Sequence, residues 1–320
     1  MRRPGSTLLL LLVALTAPRP SASSSTPSRQ IALTFDDLPG VVLPEQEAVQ
    51  LAELTDKLVS AIAAQRVPAI GFVNEGRLGR EGAPEPERVE LLERWLAAGL
   101  ELGNHTFSHI DLHRRALDAF QRDAARGEAV TRSLLAAHRM RLRFFRHPFL
   151  HTGRTLEIRH AVERSLAARG ERIAPVTVDN SDWIFARAYA LARASGDAAA
   201  VERIEAAYVP YVEAKVEYFE RQSVALFSRE IRQILLLHAN ALNADRFGEL
   251  VSMLRRRGYA FISLDRALED RAYRSRDDFV GPGGISWLHR WALSGGRNRM
   301  LPGEPATPRF VLDAAGISEE

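Results

Sequence analysis

The sequence predicts an α/β fold, a distorted (β/α) barrel of seven or eight units. Short apolar runs alternate with longer amphipathic stretches along most of the 320 residues. Strands that are separated by helices pair in parallel, and an array of such units closes into a barrel. Ionisable residues follow several of the apolar runs, at the ends where the loops of a barrel gather. An open doubly wound sheet is the alternative fold.

The strands and helices are assigned from the spacing of the apolar residues. Seven runs have the length and composition of buried strands: Ile31–Phe35, Ala69–Val73, Leu100–Gly103, Arg143–Arg146, Ile173–Val178, Ile234–Leu237 and Tyr259–Ser263. Four stretches between them have the period of a helix: Glu47–Gln65, Glu85–Ala98, Leu112–His138 and Arg154–Arg169. The predicted barrel domain therefore covers residues 26–270.

A long interval separates Trp183 from His238, more than a usual connection between a strand and a helix needs. It is rich in alanine and repeats apolar residues at helical spacing, which predicts a helical insertion over residues 184–230. Helices that cap the barrel are the favoured interpretation of this insertion. A separate binding module is the alternative.

The C-terminal extension, residues 271–320, is rich in glycine and proline. Trp287, Leu288 and Trp291 share one face of a predicted helix, which indicates that the extension packs on the barrel. Stacking of Trp291 on a sugar ring is the alternative.

The N-terminus has the order of residues that is typical of an export signal. Arg2 and Arg3 precede the apolar run Leu8–Leu15, and small and polar residues follow as far as Ser25. Because the run is too short to span a bilayer, we expect residues 1–25 to be a cleaved signal peptide. The mature protein is then periplasmic or secreted, without a stable membrane anchor. A retained anchor or a buried first helix is the alternative.

The charge of the chain gives no support for a nucleic-acid partner. The formal net charge of +3 includes three arginines within residues 1–23, so a chain without this segment has equal numbers of basic and acidic residues. A nucleic-acid-binding surface needs clustered lysine and arginine. The chain has no cysteine, so an exported protein of this sequence depends on its core and not on disulfides.

Two adjacent aspartates, Asp36 and Asp37, end the first apolar run. Neighbouring carboxylates at the end of a buried strand repel each other unless a positive charge lies close to them. His105 and His109 follow the third run, and their spacing of four lets two imidazoles face one point. Together with one of the aspartates they would bind a divalent metal and leave positions for water or substrate.

The other aspartate is then free to take a proton from water, whose pKa a divalent cation lowers. His238, which follows the sixth run, is placed to protonate a leaving group. A histidine that is buried at a strand end without a chemical role is the alternative interpretation of His238.

Five short motifs together resemble those of a known family. The motifs TFDD (34–37), HTFSH (105–109), RHPF (146–149), DNSDW (179–183) and LLLH (235–238) are similar, in this order, to those of the polysaccharide deacetylases, carbohydrate esterase family 4. The resemblance extends over residues 31–270. It implies a barrel that removes acetyl groups from a polysaccharide or oligosaccharide.

The resemblance also implies a role for each motif residue. Asp37, His105 and His109 would hold a divalent metal, usually zinc, and Asp36 would be the catalytic base. Arg146 would pair with Asp36 and keep it ionised, a task for which a planar guanidinium is suited.

The later motifs would supply the acid and the walls of the groove. The resemblance implies that Asp182 hydrogen-bonds His238 and favours its protonated form, so that His238 is the general acid. The backbone N–H of Phe149 would help to stabilise the oxyanion. The side chains of Trp183 and Leu236 would form apolar walls.

The sequence departs from the family pattern after RHPF. Leu150 stands where the family commonly has glycine, so we expect the groove to differ near this loop. The predicted reaction is hydrolysis of the acetyl group of N-acetylated sugars in a chitin-like or peptidoglycan-like polymer. Hydrolysis of O-acetyl esters on xylan-like glycans, hydrolysis of a cyclic amide, and a non-catalytic sugar-binding barrel are the alternatives.

Overall fold

The computed structural model describes residues 29–42, 47–295 and 300–319. The predicted signal peptide, residues 1–25, lies outside the described residues. The described part contains nine strands: β1 (Arg29–Leu38), β2 (Ala69–Val73), β3 (Gly79–Arg80), β4 (Ala83–Pro84), β5 (Glu101–Asn104), β6 (Phe144–Phe145), β7 (Arg172–Ile173), β8 (Gln233–His238) and β9 (Tyr259–Phe261).

Seven of these strands form one parallel sheet that curls as a half-barrel. Its spatial order is β7, β6, β5, β2, β1, β8, and β9 pairs with the first residues of β1. The strands β3 and β4 form a separate antiparallel pair. The predicted α/β barrel fold is thereby confirmed.

The helices lie between the strands and after them. They are α1 (Glu47–Gln65), α2 (Pro86–Ala97), α3 (Leu117–Arg126), α4 (Ala129–Ala137), α5 (Leu156–Ala168), α6 (Asp182–Ser195), α7 (Ala198–Phe227), α8 (Ala241–Arg256), α9 (Leu264–Leu268), α10 (Trp287–Ser294) and α11 (Arg309–Ala315). None of these helices in the described residues combines the length and apolarity that a bilayer crossing needs.

The central strand β1 explains why ionisable groups lie inside this fold. All of its residues from Ile31 to Leu38 are buried, because β1 has neighbours on both edges and is covered on both faces. The ring of Phe35 on β1 contacts Trp95 of α2, with centroids 5.7 Å apart, and Phe247 of α8, with centroids 5.9 Å apart. The carboxyl end of β1 therefore carries two aspartates into the interior of the half-barrel.

Several predicted elements are wrong in their extent. The predicted strand Arg143–Arg146 covers only Phe144–Phe145, and the predicted strand Tyr259–Ser263 ends at Phe261. The predicted strand Ile173–Val178 is a strand only to Ile173, because Pro175 lacks the N–H that a ladder needs. Val178 pairs again, with Leu235 of β8.

The predicted helix Leu112–His138 is two helices, α3 and α4, separated at Gly127. A Cβ at Gly127 would lie 2.4 Å from the carbonyl carbon of Thr106. The chain thus needs glycine at the point where it passes the backbone of the HTFSH loop.

The regions beyond the barrel motifs are largely helical. Helices α6 and α7 occupy the interval between the fourth and fifth motifs and pack on each other and on α8. In the extension, Trp287, Leu288 and Trp291 are buried, as the shared helical face predicts. Trp291 is buried and its ring contacts those of Phe227 and Tyr273, so little of it is open to a sugar.

Candidate metal centre and catalytic groups

Three ligand groups meet at the carboxyl ends of β1 and β5. Oδ1 of Asp37 lies 3.7 Å from Nε2 of His105 and 3.5 Å from Nε2 of His109. Ligands about 2.1 Å from one zinc ion in a tetrahedral site are separated by about this distance. The Oδ1 atom of Asp37 is buried and has no hydrogen-bond partner among the described residues. The donor set therefore fits a divalent metal.

The orientation of His105 also suits a ligand. Its Nδ1 lies 2.8 Å from the carbonyl oxygen of Arg146, so Nδ1–H donates and the lone pair of Nε2 faces Asp37. The side chain of Asn74 donates a 2.5 Å hydrogen bond to the backbone oxygen of His105. Burial lowers the pKa of His105 well below its usual value and also lowers the pKa of His109. Both rings are thus neutral, as metal binding requires.

The backbone at these residues is held in a rarely populated conformation. Asp37 has a φ of 68° and His109 a φ of 54°, in the left-handed region that favours glycine. Such residues cost about 1–3 kcal/mol each and cluster at functional sites. The backbone conformation that brings Asp37 and His109 to one point therefore lowers the stability of the fold.

Asp36 lies beside the three ligand groups, with its Oδ2 3.8 Å from Nε2 of His105. It is buried, and its Oδ1 lies 3.5 Å from a guanidinium nitrogen of Arg146. It stands in register with His238 on β8. Burial raises the pKa of Asp36 to about 6, against the opposing effects of the Arg146 and His238 charges. A carboxylate with this pKa is a suitable base near neutral pH.

Arg146 is fixed in place by its surroundings. Its side chain is fully buried, donates a 3.0 Å hydrogen bond to Oγ1 of Thr34, and lies over the ring of Phe72. Since Thr34 and Asp36 are on the same face of β1, one strand supports both the guanidinium and its carboxylate partner.

Asp182 and His238 form a hydrogen-bonded pair opposite Asp36. The carboxylate oxygens of Asp182 contact Nδ1 of His238 at 2.7 Å and its backbone N–H at 2.8 Å. Burial lowers the pKa of His238, but the charge and hydrogen bond of Asp182, together with the charges of Asp37 and Asp36, outweigh burial and raise this pKa to about 10. His238 is therefore protonated at neutral pH and able to act as an acid.

The sequence interpretation missed two amides that support this pair. Asn243 donates a 2.6 Å hydrogen bond to Asp182, and Asn240 donates a 3.3 Å hydrogen bond to the same oxygen. Asn240 lies two residues after β8 and Asn243 lies in the first turn of α8, and this position after a strand was the available signal. The sequence interpretation also missed Arg77, whose guanidinium lies 3.9 Å from Oδ2 of Asp37.

The three predicted substrate-binding residues differ in exposure. Phe149 is 52% exposed and Trp183 is 48% exposed, although both are large apolar side chains. The Phe149 ring lies 4.5 Å from that of His109, and Trp183 follows Asp182, so both lie beside the site. Leu236 retains only 5% of its surface, and little of it is open to a ligand.

A second group of metal-ligand types lies further along the same loops and consists of Asp111, His113 and His151. Here Asp111 accepts a 2.7 Å hydrogen bond from Nδ1 of His151, and His113 uses its ring nitrogens with backbone groups. The two rings are stacked with centroids 3.9 Å apart. These contacts describe a hydrogen-bonded network between loops.

Comparisons with known proteins agree with these motifs. Residues 23–165 match the family model described as polysaccharide deacetylase. Over 89 residues the chain is 35% identical to a chitooligosaccharide deacetylase of Sinorhizobium fredii, a match that covers 28% of this chain and 33% of that protein. The match thus spans about a third of the length of this curated relative.

Two solved structures match the chain over about three quarters of its length. A mutant of a CE4-family pseudoenzyme with restored enzymatic activity has a TM-score of 0.50 and 16% identity, covering 76% of this chain and 69% of that chain. The peptidoglycan deacetylase PdaC from Bacillus subtilis has a TM-score of 0.49 and 19% identity, and the match covers 78% of this chain and 95% of PdaC. At 16% identity, the match to the CE4-family pseudoenzyme mutant shows a shared fold and nothing more.

Proposed function

We propose that the chain is a metal-dependent hydrolase, on the premise that residues 23–165 match the polysaccharide deacetylase family model. Its substrates are N-acetylated sugars of a polysaccharide or oligosaccharide. The observation that supports the proposal is that Asp36 and His238 lie in register on neighbouring strands, beside the three residues that could hold a metal.

Asp37, His105 and His109 would hold the metal. When bound, a divalent cation such as zinc would act as a Lewis acid on the water and on the acetyl carbonyl. Asp36 takes a proton from the attacking water, because it is ionised above a pKa of about 6 and is not one of the three ligands. Arg146 holds this carboxylate in position and favours its charged form.

The remaining groups act on the oxyanion and on the leaving group. The backbone N–H of Phe149 donates to the oxygen of the tetrahedral intermediate, whose collapse releases acetate. His238 gives its proton to the departing amine, and Asp182 stabilises the charged ring before that step. Trp183 offers an exposed apolar face to a sugar ring.

Released acetate tests the proposal. The protein, loaded with zinc, is incubated with chitooligosaccharides, peptidoglycan and O-acetylated xylan, and acetate is measured before and after treatment with a chelator. We expect release from an N-acetylated substrate, loss of release on chelation, and recovery when zinc is restored. Full activity after exhaustive chelation would contradict the metal-dependent reaction.

The same assay separates the other candidate reactions. Release from acetylated xylan alone would assign an O-acetyl esterase, and turnover of a cyclic amide without acetate would assign an amide hydrolase. A non-catalytic sugar-binding barrel needs neither a base nor an acid. The presence of both Asp36 and His238 with their partners supports an enzyme instead.

We also propose that the protein acts in the periplasm or outside the cell. The signal-like order of residues 1–25 supports export. N-terminal sequencing of the protein isolated from its cell envelope or medium tests this point. We expect the signal to end between Ala17 and Ser25, so that the first residue of the mature chain lies between Pro18 and Thr26.

A further inference from the structure

We propose that the C-terminal segment Asp277–Trp287 is a positioning element of the active site and that Gly284 fixes the Phe149–Leu150 peptide group, and through it the neighbouring N–H of Phe149. The catalytic part of this inference rests on the proposed function, in which the N–H of Phe149 stabilises the oxyanion. The structural part is independent of it.

The turn that carries Phe149 needs external support. Phe149 has a φ of 56° and Leu150 a φ of 54°, so two consecutive non-glycine residues adopt the left-handed conformation. Such a turn persists only when its surroundings hold it. Leu150, at the position where the resembling family commonly has glycine, gains burial for its side chain, of which 5% is exposed.

Gly284 supplies the closest support. A Cβ at Gly284 would lie 1.7 Å from the carbonyl oxygen of Phe149 and 2.9 Å from its carbonyl carbon. The backbone of the extension therefore lies directly on the Phe149 peptide, and any side chain at position 284 would displace it. A contact between residues 149 and 284 joins the extension to the third motif.

The segment is anchored on the C-terminal side of Gly284 to the barrel. The Oγ of Ser286 donates a 2.8 Å hydrogen bond to the carbonyl oxygen of Thr177. The N–H of Trp287 donates a 2.7 Å hydrogen bond to the carbonyl oxygen of Val176. These acceptors belong to the stretch after β7 in which Pro175 interrupts the strand. The extension thus occupies backbone acceptors that lie beside the sheet.

The segment is anchored on the N-terminal side by two buried arginines. Arg290 donates to the carboxylate of Asp277 at 2.9 Å and to Oγ1 of Thr152 at 2.8 Å. Arg159 donates to the same Oγ1 at 3.3 Å and also to the backbone oxygen of Asp277. Thr152 lies three residues after Phe149, so these contacts hold the extension and the Phe149 loop as one unit.

His113 makes a further bridge between the two. Its Nδ1 lies 3.2 Å from the carbonyl oxygen of Pro282, and its Nε2 accepts a 3.1 Å hydrogen bond from the N–H of Gly153. One neutral tautomer, with the proton on Nδ1, satisfies both contacts. His113 therefore links the loop of the second motif, the Phe149 loop and the extension.

Gly284→Ala tests the inference, and Gly283→Ala is its matched control. A Cβ at Gly283 would meet only the side chain of Ile285, at 3.7 Å, which is an ordinary contact. The first measurement is hydrogen–deuterium exchange of the full chain over residues 148–153, where the amides of Leu150, His151 and Gly153 are hydrogen-bonded. We expect faster exchange in Gly284→Ala and wild-type exchange in Gly283→Ala.

The second measurement is acetate release by the zinc-loaded protein. We expect kcat of Gly284→Ala to fall by about 10²-fold, the effect of a displacement near 1 Å, with KM and zinc content as in the wild type. Equal exchange and equal kcat in the two glycine variants would overturn the inference. If the wild type releases no acetate but exchange responds as expected, the proposed function fails and the positioning role stands.

A second variant with a smaller structural change tests the same inference if Gly284→Ala does not fold. Ser286→Ala removes the hydrogen bond to Thr177, and also the one that Ser286 accepts from the N–H of Leu288 at the start of α10, without adding bulk. We expect a cooperative melting transition and exchange over residues 148–153 that is intermediate between the wild type and Gly284→Ala. Exchange at the wild-type rate in a folded Ser286→Ala protein would contradict the anchoring of the segment.

Discussion

Asp182 and His238 are joined by two hydrogen bonds, one from the ring Nδ1 at 2.7 Å and one from the backbone N–H at 2.8 Å. The carboxylate thus fixes both the orientation of the ring and the position of the residue. It also holds the charge that raises the pKa of His238. A general acid at this place keeps its proton until the leaving group takes it.

Asp182→Asn should move the alkaline limit of activity to lower pH. An acid is active only below its pKa, and activity is lost as the pH rises through that value. Without the negative charge the pKa of His238 falls, so the loss begins at a lower pH. We also expect kcat to fall by about 10²-fold or more. The pH profile of kcat/KM checks this, and an unchanged alkaline limb would contradict the pairing.

Arg146→Met should move the acidic limit of activity to higher pH. The guanidinium of Arg146 lowers the pKa of Asp36, so its removal raises that pKa. A base is active only when ionised, and the activity is then lost at a higher pH as the solution is acidified. The same kcat/KM profile measures the shift.

Thr34→Val is the matched control for Arg146→Met. It removes the hydrogen bond that Arg146 donates to Oγ1 of Thr34 but leaves the charge in place. We expect its acidic limb to stay close to that of the wild type. A similar shift in both variants would show that the orientation of Arg146, and not its charge, sets the limit.

Trp183→Ala should weaken binding of the substrate without slowing the chemical step. Trp183 is 48% exposed and has no assigned part in proton transfer. We expect KM for an N-acetylated oligosaccharide to rise about tenfold, equivalent to about 1.4 kcal/mol, with kcat within about twofold. Val224→Ala, at a similarly exposed apolar residue of α7, is the control. A loss confined to kcat would contradict a binding role.

The sequence predicted the parts of the site that follow from strand order. Asp36, His105 and His238 each end an apolar run, and parallel strands bring such ends together. The distances among Asp37, His105 and His109 agree with the predicted ligand set. Pro175 is a visible signal for the short β7, and its effect on the strand was missed.

Other features depend on contacts that periodicity does not report. Gly284 contacts Phe149 although the two residues are far apart in the sequence. The spacing of the residues around either one does not predict this contact. The positive φ of Leu150 likewise comes from its packing and not from its residue type. Asn243 supports Asp182 from the first turn of α8, where polar residues usually have a role as helix caps.

The central claim is that Asp37, His105 and His109 bind one metal ion while Asp36 remains free as the base. The zinc content of three variants tests this claim most directly. Purified wild type, His105→Ala, Asp37→Ala and Asp36→Asn are dialysed against equal free zinc and analysed for bound metal and acetate release. We expect the first two variants to lose both metal and activity, and Asp36→Asn to keep about one zinc per chain without turnover. Equal loss of zinc in Asp36→Asn and His105→Ala would contradict the account.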